Sequence, residues 1–396
     1  MSSQNPVFIP GPTNIPERLR HAVNMPTLDH RSASFAAIFA PLFPGVRKVL
    51  KTEKGEVFLF PATGTAGWEA AISNTLSPGD KVLACRHGMF SHKWIDMCNR
   101  HGLNVHQLNA PWGAGAPAAE FQAVLEADKS HEIKAVLVTH NETATGVRSD
   151  VAAVRKALDA ARHPALLLVD GVSSIASMDF RMDEWGVDVA VTGSQKGFML
   201  PAGLAIVAAS SKAIAAMETA KLPRCFLDFR DMLNMNPKGG YPYTPPVQLL
   251  FGLGESLKMI EEEGLENVFA RHRRIAEGVR RGVAGWGLKL CAQSPDLYSD
   301  TVSAIVVPQG VDSTKLVVHA ADKYGVAFGV GLGEVAGKVF RIGHLGSLTD
   351  VMALSGLACA EMVMADLGMQ VKLGSGVAAA AEYYRTTESA TLSNAA

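Results

Sequence analysis

The sequence predicts an α/β fold: a mostly parallel sheet covered by helices on both faces, with a smaller α+β domain after it. Three observations predict it. From residue 57 to residue 210, short continuous runs of Val, Leu and Ile alternate with longer amphipathic stretches, the pattern of buried strands joined by helices. The chain has 396 residues, more than one ordinary core takes up. A change of composition at 234–246, NMNPKGGYPYTPP, separates this alternation from the rest of the chain.

The elements are taken in chain order. Residues 5–16, NPVFIPGPTNIP, hold too much Pro and Gly for a regular helix. They predict an extended arm, 1–16, that crosses a surface ahead of a first helix at 17–23. Strands are expected at 57–60, 81–85, 135–140, 165–170, 187–192 and 204–209. Helices are expected at 66–76, 90–101, 120–127 and 150–161, and Ser149 and Asp150 suit the cap of the last. Residues 234–246 predict a long ordered loop. Helices at 249–263 and 266–284 and short strands at 302–308, 327–329 and 339–342 come after it. The large domain is therefore placed at 17–262 and the small one at 263–396. The tail past Gly374 is rich in Ala, Ser and Thr, and its last ten or so residues are expected to fray.

Composition narrows the function. Apolar residues make up 48% and charged residues 19%, an ordinary globular balance. Lys+Arg is 37 and Asp+Glu is 38, a formal net charge of −1, so nothing points to nucleic acid or to an anionic membrane. Five scattered cysteines, Cys85, Cys98, Cys225, Cys291 and Cys359, form no C-x-x-C pair. No disulfide framework and no metal are expected, and a reducing compartment is. No signal peptide or membrane span is read, and the expectation is a cytoplasmic protein.

Four features fall at the carboxyl ends of expected strands, where open α/β sheets bind ligands. Thr63-Gly64-Thr65 precedes a helix and forms an anion cup of backbone N–H groups and hydroxyls; the plainer reading is a helix cap. Asp170 ends an apolar strand, where a carboxylate needs a cation or donors. A protonated pyridine nitrogen would serve as the cation; the plainer reading caps the next turn. Lys196, in Ser194-Gln195-Lys196-Gly197, sits on a turn of small residues. Burial beside cations would keep its amine neutral and nucleophilic, whereas most lysines are simply exposed. Arg341 lies inside an apolar strand and suits a substrate carboxylate bidentately, or a structural ion pair.

In this order the features supply a phosphate site, a ring-nitrogen partner, an aldehyde anchor and an amino-acid clamp. The chain resembles the fold-type I, class V pyridoxal-phosphate (PLP) aminotransferases, most nearly the bacterial serine–glyoxylate and aspartate–glyoxylate types. The carriers are Pro10-Gly11-Pro12-Thr13-Asn14, Thr63-Gly64-Thr65, His140-Asn141-Glu142-Thr143-Ala144-Thr145-Gly146, Val169-Asp170-Gly171-Val172-Ser173-Ser174, Gly193-Ser194-Gln195-Lys196 and Arg341-Ile342-Gly343-His344-Leu345-Gly346. The resemblance covers nearly the whole chain. It implies a seven-stranded type of sheet, a Schiff-base lysine at Lys196 that also shuttles a proton, and Asp170 on the pyridine nitrogen. It implies phosphate contacts from Gly64, Thr65 and Gln195, and Thr63 is counted with the cofactor-binding residues. Phe90 would stack on the ring where many relatives carry Trp, and Thr143 or Thr145 would touch the phenolic oxygen or the ring. Tyr241 and Thr244 match phosphate contacts made across a dimer interface, so a homodimer with shared active sites is implied as well. Asn14 would line the entrance. The implied reaction is ping-pong transamination of glyoxylate to glycine, with serine or aspartate as donor.

Other signals carry less. Gly329-Val330-Gly331-Leu332-Gly333 lacks the strand and helix context of a dinucleotide site and predicts a mobile loop near Arg341. Arg271-His272-Arg273-Arg274 with Arg280-Arg281 predicts a solvated helix face. Cys85 and Cys98 are expected in the core. Arg31 suits either a second anion clamp for a dicarboxylic donor or a helix-terminal ion pair. Two alternatives stand beside transamination. A cysteine desulfurase-like lyase needs a cysteine on the mobile loop, and 329–338 has none. A binding protein that has lost catalysis would not need Lys196, Asp170 and Arg341 together.

Overall fold

The computed structural model describes residues 6–387. The first residues of the expected arm, 1–5, and the end of the expected frayed tail, 388–396, lie outside the described residues.

The arm holds strand β1 (Val7–Phe8). The alternating region supplies β2 (Glu56–Phe60), β3 (Lys81–Arg86), β4 (Asn104–Asn109) and β5 (Ile133–Thr139). A short hairpin, β6 (Asn141–Glu142) and β7 (Val147–Arg148), precedes β8 (Leu166–Asp170), β9 (Val189–Gly193) and β10 (Ala205–Ala209). The main sheet has seven strands in the order β2-β10-β9-β8-β5-β3-β4. β9, β8, β5, β3 and β4 run parallel, and β10 is antiparallel to both its neighbours. β8 (LLLVD) and β10 (AIVAA) are buried along their whole length, as strands covered on both faces must be. Helix Gly64–Thr75 lies on this sheet because Gly67 has no side chain: a Cβ there would fall 2.5 Å from Val191 Cγ1. β4 was not expected. It is the polar edge strand NVHQLN, largely open to solvent, and lacks the apolar run that marks the others.

Two further helices, Ala33–Phe39 and Leu42–Leu50, were also unforeseen. The stretch Ala33–Leu50 has a mean hydropathy of 1.3 over 18 residues, enough by length and composition alone for a span. It is interrupted at 40–41, and Phe35, Phe39, Leu42, Val46 and Leu50 are buried in the main core. Helix Phe229–Met235 and a 3₁₀ turn, Asn236–Lys238, take up the start of the segment expected to be loop, and 239–246 is irregular.

The last strands are β11 (Lys289–Leu290), β12 (Val302–Val306), β13 (Ala327–Val330) and β14 (Val339–Gly343). They form a second sheet in the order β1-β13-β14-β12-β11. The arm therefore does more than cross a surface: β1 pairs in parallel with β13 and is an edge strand of the small sheet. One apolar core runs from Leu19 to Val268. A second joins Phe8 to Ile275 and on to Tyr384, and helix Leu265–Gly285 passes from the first to the second. The basic stretch on that helix is only in part a solvated face: Arg273 and Arg281 are exposed. His272 and Arg274 are buried, and Arg271 reaches the Glu263 carboxylate at 2.6 Å and the Gly346 carbonyl at 2.8 Å.

Candidate active site

β5, β8 and β9 end side by side, and the loops leaving them carry the expected residues. Asp170 is the last residue of β8 and is 4% exposed. Its Oδ1 accepts the Val172 N–H at 2.9 Å, so it does cap the following turn, yet it has no ion-pair partner within 4.0 Å among the described residues. Burial pushes its carboxyl up to about 7 against the pull of that N–H. Lys196 follows β9 and is 9% exposed, the one buried lysine among the described residues. Its Nζ donates to the Pro10 carbonyl. Burial first, then the Arg341 cation, lowers its ammonium from 10.5 to about 8, with Asp170 pulling the other way.

Arg341 sits in β14 at 6% exposure. Its Nε donates to the Val330 carbonyl at 2.9 Å and an Nη to the Thr143 carbonyl at 3.0 Å. It makes no ion pair with a carboxylate among the described residues, which removes the structural ion-pair reading. Burial lowers it to about 10 while Glu142 acts in the opposite sense. A guanidinium buried this far without a carboxylate partner among the described residues suits an anion.

The expected anion cup falls at a helix start. Gly64 begins helix Gly64–Thr75, and the Gly67 N–H bonds back to the Thr63 carbonyl at 3.1 Å. The N–H groups ahead of Gly67 have no carbonyl of an earlier turn to meet. Thr63 makes no side-chain cap. A Cβ at Gly64 would fall 2.4 Å from Val172 Cγ2, and one at Gly193 would fall 2.8 Å from Gln195 Oε1 and 3.4 Å from the Gly64 nitrogen. Glycine at 64 is thus needed beside Val172, and the Gly193 turn lies against the Gly64 nitrogen. Gln195 Oε1, Thr145 Oγ1 and Asn141 Oδ1 are buried without a hydrogen-bond partner among the described residues, so each is open to a polar group of a bound molecule. Phe90 is half-buried on the first turn of helix Met89–Arg100. Thr143 is buried, and its hydroxyl meets Ser173 Oγ at 2.7 Å.

Within this chain, four of the expected residues lie outside this cluster of contacts. The Asn14 amide is taken up on both sides by the Val7 backbone, at 2.9 and 3.0 Å, and secures β1. The Tyr241 hydroxyl donates to the Leu59 carbonyl, and its ring packs edge-on against Phe39 in the main core. Thr244 and Arg31 are exposed, and Arg31 makes no ion pair among the described residues, so the helix-terminal pair is not formed. Sequence reasoning overlooked the arm's direct contact with the lysine. Gly11, at φ +100°, lies so close that a Cβ would fall 2.5 Å from Lys196 Nζ. A glycine between two prolines was the available signal.

One consequence concerns pH. Capture of an aldehyde needs the neutral amine of Lys196. In the cofactor-free enzyme the capture rate is expected to rise with pH through a midpoint near 8 and then level off. Stopped-flow absorbance checks this, and a rate still climbing toward the ordinary lysine value of 10.5 contradicts it.

With this geometry in view, the likeness to known proteins has a physical basis. The family "Aminotransferase class-V" matches residues 17–343, and the chain belongs to it. Over 396 residues the chain is 69% identical to L-aspartate–glyoxylate aminotransferase of Paracoccus denitrificans, covering 100% of each. Over 389 residues it is 57% identical to serine–glyoxylate aminotransferase of Hyphomicrobium methylovorum, covering 97% of this chain and 96% of the other. Among solved structures, pyridoxamine–pyruvate aminotransferase of Mesorhizobium loti matches with a TM-score of 0.90 at 28% identity, over 96% of this chain and 97% of that one. The protein is an aminotransferase of the PLP fold-type I class, and its cofactor is pyridoxal phosphate.

Proposed function

We propose that the chain transfers the amino group of a small L-amino acid, aspartate or serine, to glyoxylate, giving glycine. The observation that carries this reading is Arg341, a buried cation with no acidic partner among the described residues, whose charge bears directly on Lys196. It suits the single carboxylate that glyoxylate, glycine and every α-amino acid share. The relatives at 69% and 57% identity are named for different donors and for the same acceptor.

In this reading Gly64, Thr65 and Gln195 hold the cofactor phosphate, with Thr63 beside them. Asp170 holds the pyridine nitrogen, Phe90 lies against the ring, and Thr143 or Thr145 meets the phenolic side. Bound pyridoxal phosphate supplies an aldehyde carbon and an electron-withdrawing ring. Arg341 orients the substrate by its carboxylate. Lys196 Nζ, once neutral, accepts the Cα proton of the donor and returns a proton in the reverse half-reaction. Donor and acceptor occupy the same clamp in turn, so the kinetics are ping-pong.

The lyase alternative loses ground on the cysteines. Cys359 is buried in helix Asp350–Asp366, and Cys291 lies just beyond β11 rather than within a strand. Burial pushes both thiols up to about 11, away from a nucleophilic thiolate. All five cysteines are unpaired, which supports a cytoplasmic setting.

The same reading makes the enzyme a homodimer. A Cβ at Gly239 would fall 2.7 Å from the Ala36 side chain, so the irregular segment 239–246 rests on helix Ala33–Phe39, just after Arg31. That helix also lines an apolar groove of about 900 Å³ with Pro41, Leu42, Phe251 and Leu257. A second copy covering the groove would bring exposed Thr244 and Arg31 toward the partner's site. Tyr241, already bonded within its own chain, would act by bracing the loop.

A donor panel with glyoxylate tests the proposal, with glycine measured directly on purified holoenzyme. Glycine is expected from aspartate or serine in preference to other donors, and a preference for aspartate makes Arg31 the next residue to substitute. Absence of glycine with every donor, from enzyme that has bound its cofactor, refutes glyoxylate as acceptor.

A further inference from the structure

Glu142 is buried completely and takes no part in the steps above. It has no cation within 4.0 Å among the described residues. Its partners are backbone N–H groups from two separate segments. Oε2 accepts from Ser91 at 2.9 Å and Phe90 at 3.1 Å; Oε1 accepts from Ala144 at 3.1 Å and Phe90 at 3.2 Å. Gly88 makes room for it, since a Cβ there would fall 2.2 Å from Glu142 Cγ.

Each segment carries one wall of the site. The first turn of helix Met89–Arg100 carries Phe90. The turn after Glu142 carries Thr143, whose carbonyl accepts the Arg341 Nη at 3.0 Å. A carboxylate buried away from water is tolerated when its oxygens are met. Here neither segment can shift without leaving those oxygens and the opposing N–H groups unmet. The Glu142 charge also favours the protonated form of Arg341.

We propose that Glu142 is a positioning residue that ties the aromatic wall of the cofactor site to the substrate-carboxylate clamp. One carboxylate fixes both the turn bearing Phe90 and the turn on which Arg341 rests. The inference depends on the reading above only for the roles of Phe90 and Arg341.

The test is Glu142→Gln in the full chain. The amide keeps the size but turns one oxygen into a donor facing N–H groups. Two quantities are expected to rise together, each about tenfold: the dissociation constant for pyridoxal phosphate, titrated into cofactor-free enzyme by fluorescence, and KM for the carboxylate acceptor. A merely structural role would lower Tm and leave both unchanged in the folded fraction, which overturns the proposal. A rise in only one overturns the tie between the walls. Should Glu142→Gln not fold, Gly88→Ala displaces the carboxylate without removing its charge, and the same paired rise is expected of it; two unchanged constants overturn the proposal there too. The cofactor titration does not depend on the acceptor, so failure of glyoxylate in the donor panel leaves it readable.

Discussion

Lys196→Ala is expected to lower glycine formation by about 10,000-fold, the upper range for removing a proton-transfer group that is also the covalent anchor. The site offers no substitute amine, because Lys196 is the only buried lysine among the described residues. Its chemistry depends on where the fold puts it. Burial and Arg341 bring its pKa to about 8, so a useful fraction is neutral near physiological pH. The arm closes over it through the Pro10 carbonyl and Gly11. The cup at Gly64 and Gln195 is untouched by the substitution, so cofactor is still expected to bind through its phosphate without the visible absorbance of a lysine linkage. Paired measurements of glycine release and cofactor absorbance check this. Transamination at the wild-type rate would remove the foundation of the assignment.

Arg341→Gln is expected to reduce kcat/KM by about 100- to 1,000-fold, chiefly through KM, and for donor and acceptor alike. Two charge-assisted hydrogen bonds are lost, each worth roughly 1.5–3 kcal/mol, and about 1.4 kcal/mol is tenfold. Not all of that sum is realised, since the substrate carboxylate regains water when it is not held. Arg341→Lys should restore little, because an ammonium cannot reproduce the planar fork. A second effect separates this account from simple loss of affinity. Arg341 helps depress the Lys196 ammonium, so removing the guanidinium should move the pH midpoint for aldehyde capture upward. Steady-state kinetics with both substrates and the pH profile of capture measure the two effects. An unchanged KM for both substrates contradicts the clamp.

Much of this site was legible because its chemistry is expensive to place by accident. A carboxylate ending LLLVD and an arginine within VFRIG stand out against their strands, and Lys196 stands out on a turn of small residues. The buried strands were legible for the same reason in reverse, as apolar runs too continuous for one-sided burial. What escaped depended on contacts distant in sequence. β4 is polar because it is an edge strand. Helices Ala33–Phe39 and Leu42–Leu50 are punctuated by Pro41, Pro44 and Gly45, which resemble a loop until the chain around them buries Phe35 and Phe39. β1 is two residues long and exists only because β13, 320 positions later, pairs with it. Glu142 was visible only as part of a motif, since its partners are main-chain N–H groups that no side-chain pattern marks. In this chain the Asn14 amide meets the Val7 backbone seven positions away, and the Tyr241 hydroxyl meets the Leu59 carbonyl 182 positions away.

The most direct test of the account is the pair of half-reactions on holoenzyme. Aspartate or serine added without acceptor should abolish the lysine-linked absorbance in a single turnover and release one equivalent of keto acid. Glyoxylate added next, after removal of the donor, should restore that absorbance and yield one equivalent of glycine. Restoration without glycine, or keto acid released continuously without any acceptor, would contradict transamination to glyoxylate.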